Sequence, residues 1–94
     1  MLTDEVKTAL RVSTDDTAIN AEIDNLVSEA ESDLKTTGIK CDKGSYDPLV
    51  KGAIILYCRS RFGLDNPDSE KFYQSYERLK QKLMNTEEFR TDKK

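Results

Sequence analysis

The side chains that do chemistry in proteins are unevenly supplied here: 18 Asp and Glu, 15 Lys and Arg, two cysteines and no histidine in 94 residues. Without an imidazole neither Cys41 nor Cys58 has a ready general base, and no Gly-x-Ser-x-Gly turn presents a serine, so the sequence argues against a hydrolase. Two cysteines and no histidine fall short of a four-ligand zinc site and are too few for a disulfide scaffold, which points to a reducing compartment. The carboxylates are so numerous that none is marked as half of an acid–base pair, and solvated surface is their default role. Gly38, Gly44, Gly52 and Gly63 are scattered and build no phosphate-cradling loop. We therefore assign no catalytic, cofactor-binding or metal-binding residue and expect a protein that is not an enzyme.

Glu31-Ser32-Asp33-Leu34 superficially echoes the Asp-Ser-Leu attachment site of acyl carrier proteins. The order differs, and this serine lies late in a predicted helix, whereas a carrier's serine starts one.

Net charge is only −3, but it is polarised along the chain. Residues 1–34 hold nine acids against Lys7 and Arg11, a net −7, and residues 35–94 hold thirteen Lys and Arg against nine acids, a net +4. Arg59, Arg61, Arg78, Lys80 and Lys82 form the best candidate patch for phosphate, which keeps a small helical DNA-binding regulatory module as the alternative reading. A pI near 5.0 and an acidic second helix weigh against it.

The elements that must position these charges are helical. Asp47-Pro48 offers an N-cap and a residue suited to the first helical position, and Gly63 a stop, so 47–63 reads as a central apolar helix. Its apolar residues, Leu49, Val50, Ala53, Ile54, Leu56, Tyr57 and Cys58, cover more than half its circumference, so several neighbours must pack on it. Gly52, within it, costs about 1 kcal/mol relative to Ala, and a close helix contact is the expected compensation. A short helix is predicted over about 4–11, after Thr3. A longer one over 16–36 carries Ile19, Ile23, Leu26, Val27, Ala30 and Leu34 on one face and stops at Gly38. A fourth follows Pro67 with Phe72, Tyr76, Leu79 and Leu83 in a narrow stripe. Residues 37–46 read as a loop in which Tyr46 staples the next helix and Cys41 is at the surface.

Strand signals are absent, and the prediction is an all-α bundle of about four helices. One domain, 1–84, is followed by a polar, mobile tail, 85–94, in which Phe89 is the one apolar residue. No stretch approaches the ~20 apolar residues of a membrane span, and Met-Leu-Thr-Asp-Glu lacks the order of a signal peptide.

One feature of the central helix bears on assembly. Lys51, Ile55, Arg59 and Phe62 share a side, placing two large apolar residues between cations. They are covered either by the first helix and the 37–46 loop or by a neighbouring subunit, whose second-helix acids Glu22 and Glu29 would meet the cations. Contacts between an acidic face and a basic face are heterologous, and they build rings when the rotation closes.

On these residues the sequence resembles the small head-tail connector, or head-completion, proteins of long-tailed bacteriophages and prophages. The likeness runs over about 2–83. It is carried by Leu2-Thr3-Asp4-Glu5-Val6-Lys7 with Leu10-Arg11-Val12, by Asp15-Asp16 before Ile19, Ile23 and Leu26, and above all by Pro48-Leu49-Val50-Lys51-Gly52-Ala53-Ile54-Ile55-Leu56-Tyr57. The resemblance implies a structural subunit made in the bacterial host cytoplasm and built into the virion. It would form a homo-oligomeric ring, typically of twelve, under the portal, with DNA passing through the lumen and the next head-completion or tail protein docking below. It further implies that the C-terminal segment meets the portal, which places that contact at Phe72, Tyr76, Leu79, Leu83 and Phe89. Acids such as Glu22 and Glu29 would equally suit a lumen that must not grip phosphate.

Overall fold

The structure, a computed structural model, describes residues 2–10, 16–41, 47–62 and 67–90. It contains four helices, α1 (Leu2–Leu10), α2 (Thr17–Thr36), α3 (Pro48–Arg61) and α4 (Ser69–Met84), followed by a 3-10 turn, Glu87–Phe89. Among the described residues there is no strand, only an isolated antiparallel bridge between Ile39 and Arg90. The fold is an all-α bundle, as the sequence predicts.

Local chemistry explains the helix ends. Asp16 caps α2 by accepting the Ala18 amide at 2.8 Å, and Asp47 caps α3 by accepting the Leu49 amide at 2.9 Å, with Pro48 next in the chain. At the far end of α2 the Gly38 amide donates to the Lys35 carbonyl and the Ile39 amide to the Leu34 carbonyl, a Schellman closure. Gly38 has φ +87°, the left-handed conformation this closure requires. The same closure turns Ile39 back onto Leu34, and both are fully buried. α1 begins at Leu2, so Thr3 lies inside it rather than ahead of it. The Gly63 stop and the Tyr46 staple fall outside the described residues.

α3 is the central element, packing against α1, α2 and α4. Val6, Ile23, Leu34, Ile54, Tyr76 and Leu83 have no exposure at all and fill a single core with Val50, Ala53 and Cys58. The molecule measures 44 × 27 × 18 Å. Lys51, Ile55, Leu56 and Arg59 keep partial exposure along α3, so the central helix is not enclosed all round.

Four expectations need correction. Cys41 is buried (6% exposed), because the Schellman closure directs the chain after α2 inward. Leu49 is 39% exposed in the first turn of α3, and its neighbour Val50 takes the core position. The chain from Asn85 to Arg90 is not a loose tail. Phe89 is buried, the Lys40 amide donates to the Phe89 carbonyl at 2.8 Å, and Arg90 Nη1 donates to the Met84 carbonyl at 2.9 Å. A lone aromatic in a polar run gains from joining the buried core, and here Phe89 does so, with the Ile39–Arg90 bridge beside it. Lastly, a Cβ on Gly52 would meet Leu79 Cδ2 at 4.0 Å, ordinary contact, so no close helix approach demands glycine there.

Candidate assembly surfaces

Two clusters of charged and aromatic side chains flank α3, one sealed and one open. The sealed cluster lies where α2, α3 and α4 converge. Tyr76, fully buried on α4, donates its hydroxyl to Asp33 Oδ2 on α2; Lys80 Nζ reaches the same oxygen at 2.9 Å and Glu77 Oε2 at 3.0 Å. Tyr57 on α3 packs edge-on to Tyr76 with ring centroids 5.1 Å apart and donates to Glu29 Oε1 at 3.1 Å. Arg61 lies over the other side of Tyr57, its guanidinium carbon 5.0 Å from the ring centre.

These groups perturb one another in consistent directions. Burial alone would raise the Asp33 carboxyl, but hydrogen bonds from Tyr76 and Lys80 and the charges of Lys80 and Arg61 outweigh it and hold the group below its ordinary value. Burial likewise opposes the Lys80 charge, and the Asp33 and Glu77 contacts overcome it, raising the ammonium. Burial and the Glu29 hydrogen bond push Tyr57 up to about 12, and burial and Asp33 raise Tyr76. Cys58, buried beneath the cluster, is pushed up to about 12 and stays a protonated thiol at neutral pH, the state of a small core side chain rather than of a nucleophile. The cluster therefore works as a polar lock joining α2 to α4.

The open cluster is the outer strip of α3. Lys51 pairs with Glu5 of α1 at 3.1 Å, and the Arg59 guanidinium stacks over Phe72 of α4 at 4.3 Å. Ile55, between these two cations, and Phe62, the extended C-cap residue just past α3, are half-buried against the core. Among the described residues α1 meets the strip at Lys51 and α4 at Arg59, and Ile55 and Phe62 keep partial exposure.

The sequence-predicted residues divide accordingly. Glu22 and Glu29 are both exposed on α2. Of the residues assigned to portal docking, Tyr76, Leu83 and Phe89 are buried in the subunit's own core, while Phe72 and Leu79 are half-buried along α3. The candidate phosphate patch is dispersed: Lys80 faces Asp33, Arg61 faces Tyr57 and Arg59 faces Phe72, leaving Arg78 and Lys82 at the surface of α4 with Lys71. The Asp33–Tyr76–Lys80 lock went unread in the sequence. Its members are 43 and 47 residues apart, and the one hint was a tyrosine, with a hydroxyl to satisfy, in the middle of an apolar stripe.

Among the described residues no group of three or more His, Cys, Asp and Glu converges as metal ligands, and no helix is long and apolar enough to cross a membrane. Residues 1–90 match the model of the phage connector protein family, and the chain belongs to that family, with a role at the head-tail connection of a bacteriophage. Searches of the curated proteins and of the solved structures returned no match.

Proposed function

We propose that this protein is the repeating subunit of a ring that sits under the phage portal, extends the DNA channel and presents a surface for the next head-completion or tail protein, without catalysing a reaction. The match to the connector family over residues 1–90 carries the reading. Two structural observations support it. The outer strip of α3 holds half-buried Ile55 and Phe62 beside Lys51 and Arg59, a mixed basic and apolar face of the kind a neighbouring subunit would cover. The acids Glu22 and Glu29 of α2 are exposed, Glu29 while also accepting the Tyr57 hydroxyl, on a face open to a neighbour's cations or a DNA channel. Because Tyr76, Leu83 and Phe89 serve the core, portal contact along the C-terminal segment falls to Phe72, Leu79 and the exposed side chains beside them.

A sedimentation series on the purified protein tests the reading. Association is expected to be weak alone and to rise with concentration or added portal. Ile55→Asp should abolish that rise while leaving the helical circular dichroism intact. A symmetric dimer at every concentration would overturn the ring. A regulator would instead shift free duplex DNA at low salt, with steep loss as salt rises.

A further inference from the structure

The outward face of α2 is unlike any other helix surface here. At 100° per residue, Ala21, Asn25, Ser28 and Ser32 align on the side away from the core, and all four are exposed. No large side chain stands on this line over three turns. Glu22 and Glu29 border it on the side toward α4 and Asp24 on the other. A face of small neutral residues with acidic edges lets another helix approach closely, since interaxial distance follows the side chains at the contact.

The chain carries a complementary face on its opposite flank. Lys80 of α4 points to α2, as its contact with Asp33 shows, and Arg78 and Lys82 are each displaced from it by about 160° around the helix. With Lys71 they form a basic stripe turned away from α2, all three exposed, and the stripe continues past Phe72 to Arg59 and the open strip of α3. Spacing matches as well as sign: Glu22 and Glu29 are seven residues apart, as are Lys71 and Arg78, which places each pair about 10.5 Å apart along its axis.

We propose that the small-residue face of α2 in one subunit docks against the Lys71–Arg78–Lys82 stripe of α4 in a second copy of this chain. The assignment rests on the ring reading above and adds which two helices meet. Two complementary faces on opposite flanks of one subunit give a head-to-tail contact, not a self-complementary one, so each added copy offers a fresh docking face. DNA is the competing occupant of the basic stripe, but three cations beside half-buried Phe72 and Leu79 suit a helix better than a phosphate backbone. Because the pairing charges are exposed, ordinary salt should weaken it.

Three variants of the full chain test the contact: Glu22→Lys and Ser28→Tyr on one face, Arg78→Glu on the other. Each should weaken self-association at low salt at least tenfold without changing the circular dichroism, Ser28→Tyr doing so with no change in charge. Mixing Ser28→Tyr with Arg78→Glu should yield a one-to-one heterodimer, because one intact face remains on each chain and the two altered faces do not restore each other. Rings that form normally from all three variants would overturn this pairing of helices and leave the ring reading standing. Wild-type protein that stays monomeric at every concentration, with or without portal, would overturn both. A duplex DNA shift lost in Arg78→Glu but unchanged in Ser28→Tyr would give the stripe to DNA and likewise overturn the pairing.

Discussion

The sealed cluster between α2 and α4 and the open strip of α3 are built from the same parts, a lysine on a carboxylate and an arginine over an aromatic ring, yet they hold different consequences. In the sealed cluster Lys80 is 11% exposed and Asp33 39%, and Asp33 also accepts the hydroxyl of fully buried Tyr76, so the burial lies on the lysine and tyrosine side of the contact. In the open strip Lys51 is 35% exposed and Glu5 49%. Burial strengthens the electrostatic contact and penalises its loss, whereas water screens the exposed one and takes over for a missing partner. The first arrangement fixes the subunit; the second leaves side chains available to something else.

Substitution should break the two regions unequally. Tyr76→Ala removes a buried ring and the α2–α4 tie together and is expected to cost about 3–5 kcal/mol, while Phe72→Ala in the half-open strip should cost about 1–2 kcal/mol, both read by urea denaturation. Equal losses would erase the distinction. Next in size, Lys80→Met should cost about 1–3 kcal/mol because Asp33 loses its charged partner, against about 0.2–1 kcal/mol for Lys51→Met. Added salt should narrow the Lys51 effect more than the Lys80 effect.

Titration sharpens the same contrast. The Asp33 carboxyl is lowered in the folded protein below its ordinary 3.8, so its stabilising contribution is fully present above pH 3.8 and is lost as pH falls through the lower folded value. The stability gap between wild type and Asp33→Asn should therefore shrink on acidification below about pH 4, whereas a gap constant to pH 2 would contradict the lock. At the alkaline end Tyr57, raised to about 12, contributes stability that is complete below pH 10 and declines above it. Its tyrosinate absorbance should appear late, close to unfolding, and Tyr57→Phe should remove that component. The smallest effect is of opposite sign. Gly52→Ala, with room for its methyl against Leu79, should stabilise by up to about 1 kcal/mol in thermal melts and leave association unchanged.

Much of the fold is legible in the sequence because local rules agree there. Asp16 and Asp47 as caps, Gly38 as the left-handed stop, and the Ile23, Leu26, Val27, Ala30 and Leu34 face are all decided within one or two helical turns. The misread positions are those decided at a distance. Phe89 is placed by residues near Ile39, fifty positions earlier, and a three-residue 3-10 turn has no periodicity to announce it. Cys41 follows from the direction in which a helix end is aimed, not from its polar neighbours. On α3 the apolar arc includes both Leu49 and Val50, adjacent residues between which only tertiary packing chooses. The candidate surfaces were half visible. The strip residues could be grouped by helical geometry, but that Lys51 and Arg59 are tied to Glu5 and Phe72 could not, because no local pattern pairs residues across separate helices.

The return of the chain to residues 39 and 40 supplies a built-in reporter. The Lys40 amide bonds the Phe89 carbonyl and belongs to no helix, so its protection from hydrogen exchange depends on that strap alone. Fast exchange at Lys40 beside slow exchange in α3 would time the lifting of the C-terminal strap separately from global unfolding. In a mixture with portal, a change at that single amide would register whether docking moves the strap at all.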